Sequence, residues 1–367
     1  MLEMNHKKAK VLAFYLPQFH PIPENDAWWG KDFTEWTNVT KAKPLYKGHY
    51  QPFVPGELGY YDLRLPEVKE AQARLAKEAG ISAFCYWHYW FGGGKQLLEK
   101  PLQDVIQSGK PDFPFCLAWA NHSWQKKSWN SAVSRLSKEL LIEQRYPGRK
   151  DVDAHFYAML PAFRDSRYYR LHDKLVFVFF CAEDIPEPDY FIDRWQKLAA
   201  DNGLPGFFFV GHTSMVSNLE TPLYRRMDAV NLHLLHDTFN SKRYYRLLAW
   251  LLDRPLNTVP YSKAICDWES DLFRQARVFP MIYPNWDTTP RIGVTGSVLH
   301  GSTPVLFKNH IDRIMALIAG KEDSDKVIFL KSWNEWAEGN YMEPDRKFGK
   351  GYIQALSEAL FENMQHL

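Results

Sequence analysis

The chain has 367 residues with 45 basic and 43 acidic side chains, a net charge of +2, and this near-balance leaves no one-signed field for nucleic acid. At 46% hydrophobic it can fill one large core, yet no stretch approaches the roughly 18 consecutive apolar residues of a membrane span. Aromatic residues make up 16%; most must be core, but rings at strand ends are also the usual floor for the C–H faces of sugars.

The N-terminus, Met1 to Lys10, is polar and basic, and the apolar run after it is too short for a signal sequence, so a cytoplasmic protein is expected. Eight apolar runs then read as strands: Val11–Leu16, Ile81–Trp87, Phe115–Ala120, Leu175–Phe180, Phe207–Gly211, Ala229–His233, Val278–Tyr283 and Val327–Ser332. Helical patterns fall between them at Pro66–Ala79, Gln96–Ser108, Val152–Arg164, Asp189–Asp201, Tyr244–Leu252, Lys263–Ala276 and Val305–Ala319, and a last one at Gly351–Asn363 closes the chain. Short strands alternating with helices imply parallel pairing, and eight repeats close an α/β fold of the (β/α)8 TIM barrel type, one domain over 1–367. The connection after the first strand, 17–65, shows no clear core helix. Its length marks a functional loop, and its aromatic content argues against disorder.

In such a barrel, functional groups follow the carboxyl ends of the strands. Strand one leads into Tyr15 and His20 and then Glu35 and Trp36. Strand two ends in Trp87 and His88, strand three in Trp119, Asn121, His122 and Trp124, strand five in His212, and strand seven in Trp286. The last strand runs into Trp333-Asn334-Glu335-Trp336-Ala337-Glu338. Glu335 and Glu338 are three apart, so they converge only if the strand stops near Asn334 and the chain turns. Two carboxyls among indoles suit glycosidic-bond chemistry, one kept protonated by an apolar wall and one ionised.

Other motifs read as structure. The four cysteines, Cys85, Cys116, Cys181 and Cys266, include no CxxC pair and fit reduced thiols better than a disulfide framework or zinc site. Gly92-Gly93-Gly94-Lys95 lacks the spacing of a phosphate loop. Asp151-Val152-Asp153 imitates a metal-binding DxD but opens a helix, where a cap explains it. No cofactor or metal is expected, and the partner is an oligo- or polysaccharide.

The runs Ala13 to Asn25, Trp28-Trp29-Gly30, Phe33 to Val39 and Trp333 to Gly339 resemble the WbsX family, the bacterial branch related to glycoside hydrolase family 99. The resemblance covers nearly the whole chain. It implies a metal-independent barrel acting on α-linked glycans with retention, often encoded with polysaccharide or O-antigen biosynthesis and named glycosyltransferase on that association. It further implies that Glu335 deprotonates the substrate's own 2-hydroxyl, which attacks the anomeric carbon, while Glu338 protonates the leaving oxygen and then activates water. Sugar subsites would be shaped by Tyr15, His20, Glu35, Trp36, Trp87, His88, Trp119, Asn121, His122, Trp124, His212, Trp286, Trp333, Asn334 and Trp336. One departure stands out, because members of the family it resembles usually carry an acid where this chain has His122, so the preferred sugar is expected to differ or activity to be weaker. Three functions remain open at this point: a retaining hydrolase of a bacterial polysaccharide or lipid-linked glycan, a glycosyltransferase or transglycosylase using the same acids, and a non-catalytic glycan-binding barrel.

Overall fold

The computed structural model describes residues 7–126, 139–239 and 243–361; residues 1–6 of the N-terminal segment and residues 362–363 of the last expected helix lie outside them. Eight parallel strands close on themselves: β1 (Lys10–Tyr15), β2 (Ala83–Trp90), β3 (Phe115–Trp119), β4 (Lys174–Phe179), β5 (Phe207–Thr213), β6 (Ala229–Leu232), β7 (Val278–Ile282) and β8 (Val327–Leu330). Closure is made by β1, which pairs with β8 from Lys10 opposite Val327 and with β2 from Leu12 opposite Ala83. With helices between the strands this is the (β/α)8 barrel that the spacing of apolar runs implies.

The strands form because each is an unbroken apolar run, and such runs are stable only where both faces are covered. Alternation decides what each residue covers. In β1 the ring of Phe14 points to the barrel axis, stacking on Trp87 of β2 (4.4 Å, 3° between planes), whereas Tyr15 points outward and donates to Gln72 Oε1 (2.7 Å) on the helix Pro66–Ala79. Cys85 and Cys116, opposite one another on β2 and β3, are both free thiols in the core.

Two elements differ from the expected pattern. The stretch 17–65 holds two seven-residue helices, Pro23–Trp29 and Glu35–Lys41, too short to show a period in sequence. The run Lys263–Ala276 splits into a helix at Tyr261–Asp267 and a 3-10 turn at Asp271–Arg274, where Ser270 accepts a bond from the Leu272 amide.

The excursion after β1 is anchored by buried polar ties to the loops after β7 and β8. Glu343 accepts from Tyr61 Oη (2.9 Å), Gln72 Nε2 (2.6 Å) and Trp336 Nε1 (2.6 Å). Asp287 accepts from Gln51 Nε2 (2.7 Å) and lies 2.7 Å from His49 Nε2. Asn334 extends the β1–β8 pairing past the end of both strands, its Oδ1 accepting from the Leu16 amide (2.7 Å) and its Nδ2 donating to the Leu16 carbonyl (3.0 Å). Asn334→Ala would leave the buried N–H and C=O of Leu16 unmet, each costing about 1–3 kcal/mol. The urea midpoint is expected to fall accordingly; an unchanged midpoint would mean that water satisfies them.

Candidate active site

Past β8 the chain passes Lys331 and Ser332 and makes a tight hairpin, in which Asn334 pairs with Tyr341 and Glu335 with Asn340. Between them Trp336–Glu338 forms a single 3-10 turn with Glu335 at its start. A 3-10 helix has three residues per turn, so side chains three apart eclipse, and this brings Glu335 and Glu338 to one side. The turn is reversed by Gly339 at φ 65°, where a Cβ would lie 2.9 Å from Asp287 Cβ. Asp287 also donates its amide to the Glu338 carbonyl (2.6 Å), seating the turn on the loop after β7.

The two carboxyls lie within hydrogen-bonding reach of each other, and their surroundings differ. Glu335 is 4% exposed, and its Oε1 accepts from Trp87 Nε1 (2.7 Å) while Lys331 Nζ stands 3.5 Å from Oε2. Burial raises the Glu335 carboxyl, Lys331 offsets part of this, and the neighbouring Glu338 charge adds to the rise. Glu338 is also pushed up by burial, but Arg291 above all, then Lys331, outweighs that and holds it well below the ordinary range. Arg291 is itself buried and pairs through Nη1 with Glu338 Oε1 and through Nη2 with Glu35 Oε1 (2.7 Å). Two like-signed groups in contact cannot both be ionised cheaply, so the pair keeps one proton, and it rests on Glu335.

Around the acids the mouth of the barrel is aromatic and basic. Lys331 Nζ lies 5.5 Å from the ring centres of both Trp87 and Trp286. His212 stacks on His233 (4.4 Å) and on Phe180 (5.2 Å), and its Nδ1 is 2.8 Å from Asn231 Oδ1. Burial lowers both rings, His212 to about 3, and so keeps them neutral. His122 packs on Phe180 (5.1 Å) and is lowered to about 4 by burial and then by Lys331. Solvent reaches the floor at Glu338 and Lys331, whose side chains are 17% and 15% exposed.

The family model for Glycosyltransferase WbsX matches residues 11–356. The chain belongs to the WbsX glycosyltransferase family. Two curated relatives, each named Uncharacterized protein WxcX, come from Xanthomonas campestris pv. campestris, strains B100 and ATCC 33913. They are 34% and 35% identical over 96% of this chain and 50% of their own length. The chain thus spans about half the length of the curated relatives it matches. Among solved structures, a glycoside hydrolase-like protein aligns at TM-score 0.61 with 15% identity, covering 99% of this chain and 96% of its own. The GH99 endo-alpha-mannosidase from Bacteroides thetaiotaomicron aligns at 0.58 with 16% identity over 96% of each chain. At these identities the alignments establish a shared barrel.

Of the residues expected to line the WbsX site, the structure brings Glu335, Glu338, Trp87, His122, His212 and Trp286 to the mouth. The others face elsewhere. Tyr15, His88 and Trp119 lie on the outer face of their strands, His88 2.8 Å from His155 and Trp119 donating to the Trp90 carbonyl (2.9 Å). Asn121 ties the Cys181 backbone (2.6 and 2.8 Å) and the Tyr146 hydroxyl (3.0 Å). His20 is buried beside Asp62 and Arg64, Trp124 packs against Tyr89 and Phe91, and Trp36 donates to the Tyr61 carbonyl (2.8 Å). Trp333 packs on Phe84, Trp336 stacks on Tyr341 (3.8 Å), and Asn334 holds Leu16, so the indoles beside the acids in sequence are core rather than sugar platforms. Glu35 holds Arg291 and the Ala337 amide (3.0 Å), which makes it a positioning residue.

Sequence reasoning missed Arg291 and Lys331. Lys331, a lone cation at the carboxyl end of an apolar strand and four residues before Glu335, was a visible signal; Arg291, in a short polar turn, gave none. Arg291→Met would strand two buried carboxylates, costing about 3–5 kcal/mol at neutral pH. Because Arg291 depresses Glu338, its contribution is present above the ordinary value of 4.5 and lost as pH falls through the lowered one. The stability gap between the variant and the parent should therefore narrow in acid; a gap independent of pH would contradict the ion-pair assignment.

Proposed function

We propose that this chain is a carbohydrate-active enzyme that cleaves an α-linked bacterial polysaccharide or lipid-linked glycan with retention, through Glu335 and Glu338. What supports this is two buried carboxyls brought to one side of a 3-10 turn at the mouth of a barrel, one raised by burial and the other lowered by Arg291. An inverting enzyme needs about 6.5–9.5 Å between its carboxyls to seat a water, and groups within hydrogen-bonding reach leave no such space. One proton shared by the pair is also what the chemistry requires.

Substrate binding starts with that proton passing from Glu335 to Glu338 through their contact. Glu335, now ionised, takes the proton of the sugar 2-hydroxyl, and the freed oxygen attacks the anomeric carbon. The bond to the leaving oxygen breaks as Glu338 delivers its proton to it. Water then opens the 1,2-anhydro ring at the anomeric carbon, losing a proton to Glu338 while Glu335 returns one to the 2-oxygen, and two inversions give retention. Trp87 fixes Glu335 in place, and Arg291 with Lys331 supplies the positive surroundings that keep the pair singly protonated. His122, neutral through burial, packs on Phe180 at the mouth and offers no charged acceptor to a sugar hydroxyl there, which favours a substrate held by neutral contacts on this wall.

Transfer in place of hydrolysis uses the same acids with a sugar hydroxyl replacing water, and the family's name favours testing it. A nucleotide-sugar donor finds less support. Asp151 accepts from Trp90 Nε1 (3.0 Å) and the Gly93 amide (2.7 Å), and Asp153 is paired with Arg194 (2.6 Å).

Glu335→Gln and Glu338→Gln should each lower kcat by roughly 10²–10⁴-fold while glycan binding persists; a glycan-binding barrel would show no turnover to lose. A glycosyl fluoride, whose leaving group needs no acid, should restore activity to Glu338→Gln but not to Glu335→Gln, and rescue of the other variant would exchange the two roles. Activity should decline as pH rises through the raised Glu335 value of about 7. Lys331→Met, which removes a charge that lowers this value, should move the decline to higher pH.

A further inference from the structure

The helix Arg243–Leu251 lies in the connection from β6 to β7 and packs against residues 293–295, just past the turn that carries Arg291. The next segment, Asn257–Pro260, pairs in parallel with Ser297–His300, whose Leu299 amide donates to the Trp286 carbonyl (2.8 Å). The helix is thereby fixed on the end of the barrel that holds the acids. Its apolar side chains are on the wrong side for a soluble surface helix. Tyr244, Leu247, Leu248 and Leu251 follow the i, i+3, i+4, i+7 spacing of one stripe, and they are 51, 56, 41 and 62% exposed, whereas Ala249 faces the protein at 3%. Trp250 and Leu252 flank the stripe at 42 and 59%. These six are nearly half of the thirteen large apolar side chains exposed among the described residues, and Met215 and Val216, in the loop after the neighbouring β5, add two more.

We propose that this helix is an interfacial anchor that lies on an anionic lipid bilayer, its stripe in the acyl boundary. Three features select lipid over a second copy of the chain. Exposed Arg246 and Arg254 border the apolar face against a single acid, Asp253, which complements anionic headgroups. Tyr244 and Trp250 have the ring types that settle at headgroup depth. A helix of nine residues is about 13 Å long, too small to supply the ~800 Å² per partner of a stable protein interface. No helix of the described residues is long and apolar enough to cross a membrane, and a helix lying in one leaflet would hold the barrel mouth beside it. The inference rests on exposure, pattern and charge, and it holds or fails independently of the reaction at the glutamates.

Co-sedimentation of the full chain with phosphatidylethanolamine vesicles containing phosphatidylglycerol, and with phosphatidylcholine vesicles, tests it. The parent is expected to partition onto the anionic vesicles, less so at high salt, and Leu247→Glu/Leu251→Glu should reduce partitioning about tenfold or more with its thermal midpoint unchanged, since both side chains are exposed. Arg246→Glu/Arg254→Glu, which leaves the stripe intact, should lower binding to anionic vesicles alone. Failure of the parent to bind either vesicle, or equal binding by the leucine variant, overturns the proposal. So does a parent dimer in sedimentation velocity that the leucine substitutions dissociate while vesicles stay unbound, because the stripe would then be an interface between copies.

Discussion

Everything at the mouth of this barrel is arranged around one buried guanidinium. Arg291 joins Glu35, from the excursion after β1, to Glu338, from the turn after β8, and so ties the two ends of the chain together at the site. Removing three charges from water is expensive, and a well-packed apolar cluster would hold the loops at least as firmly. What the ion pair supplies instead is asymmetry. Glu338 meets the cation and stays ionised, Glu335 meets an indole N–H and a more distant ammonium, and one proton is left with a definite place to sit.

The rest of the fold serves that asymmetry by fixing geometry. A 3-10 turn, rather than a strand or an α-helical turn, places side chains three apart on one side, and Gly339 lets the chain reverse against Asp287 where any side chain would collide. Asp287 is held by His49 and Gln51 from the excursion, and Glu343 by Tyr61 of the excursion and Gln72 of the helix that follows it, so the turn is gripped from two directions. Burial pushes Glu343 itself up to about 7, partly countered by its donors, and its work is to hold Trp336 and Tyr61 in place. Below the acids, the stacked Phe14 and Trp87 form the rigid floor from which the indole N–H reaches Glu335.

The barrel was legible because fully buried parallel strands are continuous apolar runs, and all eight stand out from their polar surroundings. The convergence of the two glutamates was legible only as a condition, that the strand stop and turn. Side-chain direction was the main loss. Residues at a strand end alternate between the axis and the outer helices, so of the pairs Phe14 and Tyr15, or Trp87 and His88, one member reaches the mouth and the other packs behind the sheet. Sequence position alone cannot say which until the register is known. The indoles beside the acids misled for a related reason, since in a tight turn the neighbours in sequence point away from one another. The cations were least visible, because a single arginine in a short polar turn carries no period and no motif. The run of indoles and acids after the last strand singled out the glutamates and the WbsX resemblance suggested their roles; their electrostatic partners came from the fold.

The central claim is that the two adjacent carboxyls share one proton and that Arg291 decides where it rests. A carboxyl-carbon NMR titration of glutamate-labelled protein, with Glu335 and Glu338 assigned through their Gln variants, reads this directly. The account predicts that Glu338 stays ionised far into the acid range while Glu335 remains protonated well above the ordinary glutamate value of ~4.3. Two carboxyls titrating together near that ordinary value would contradict it.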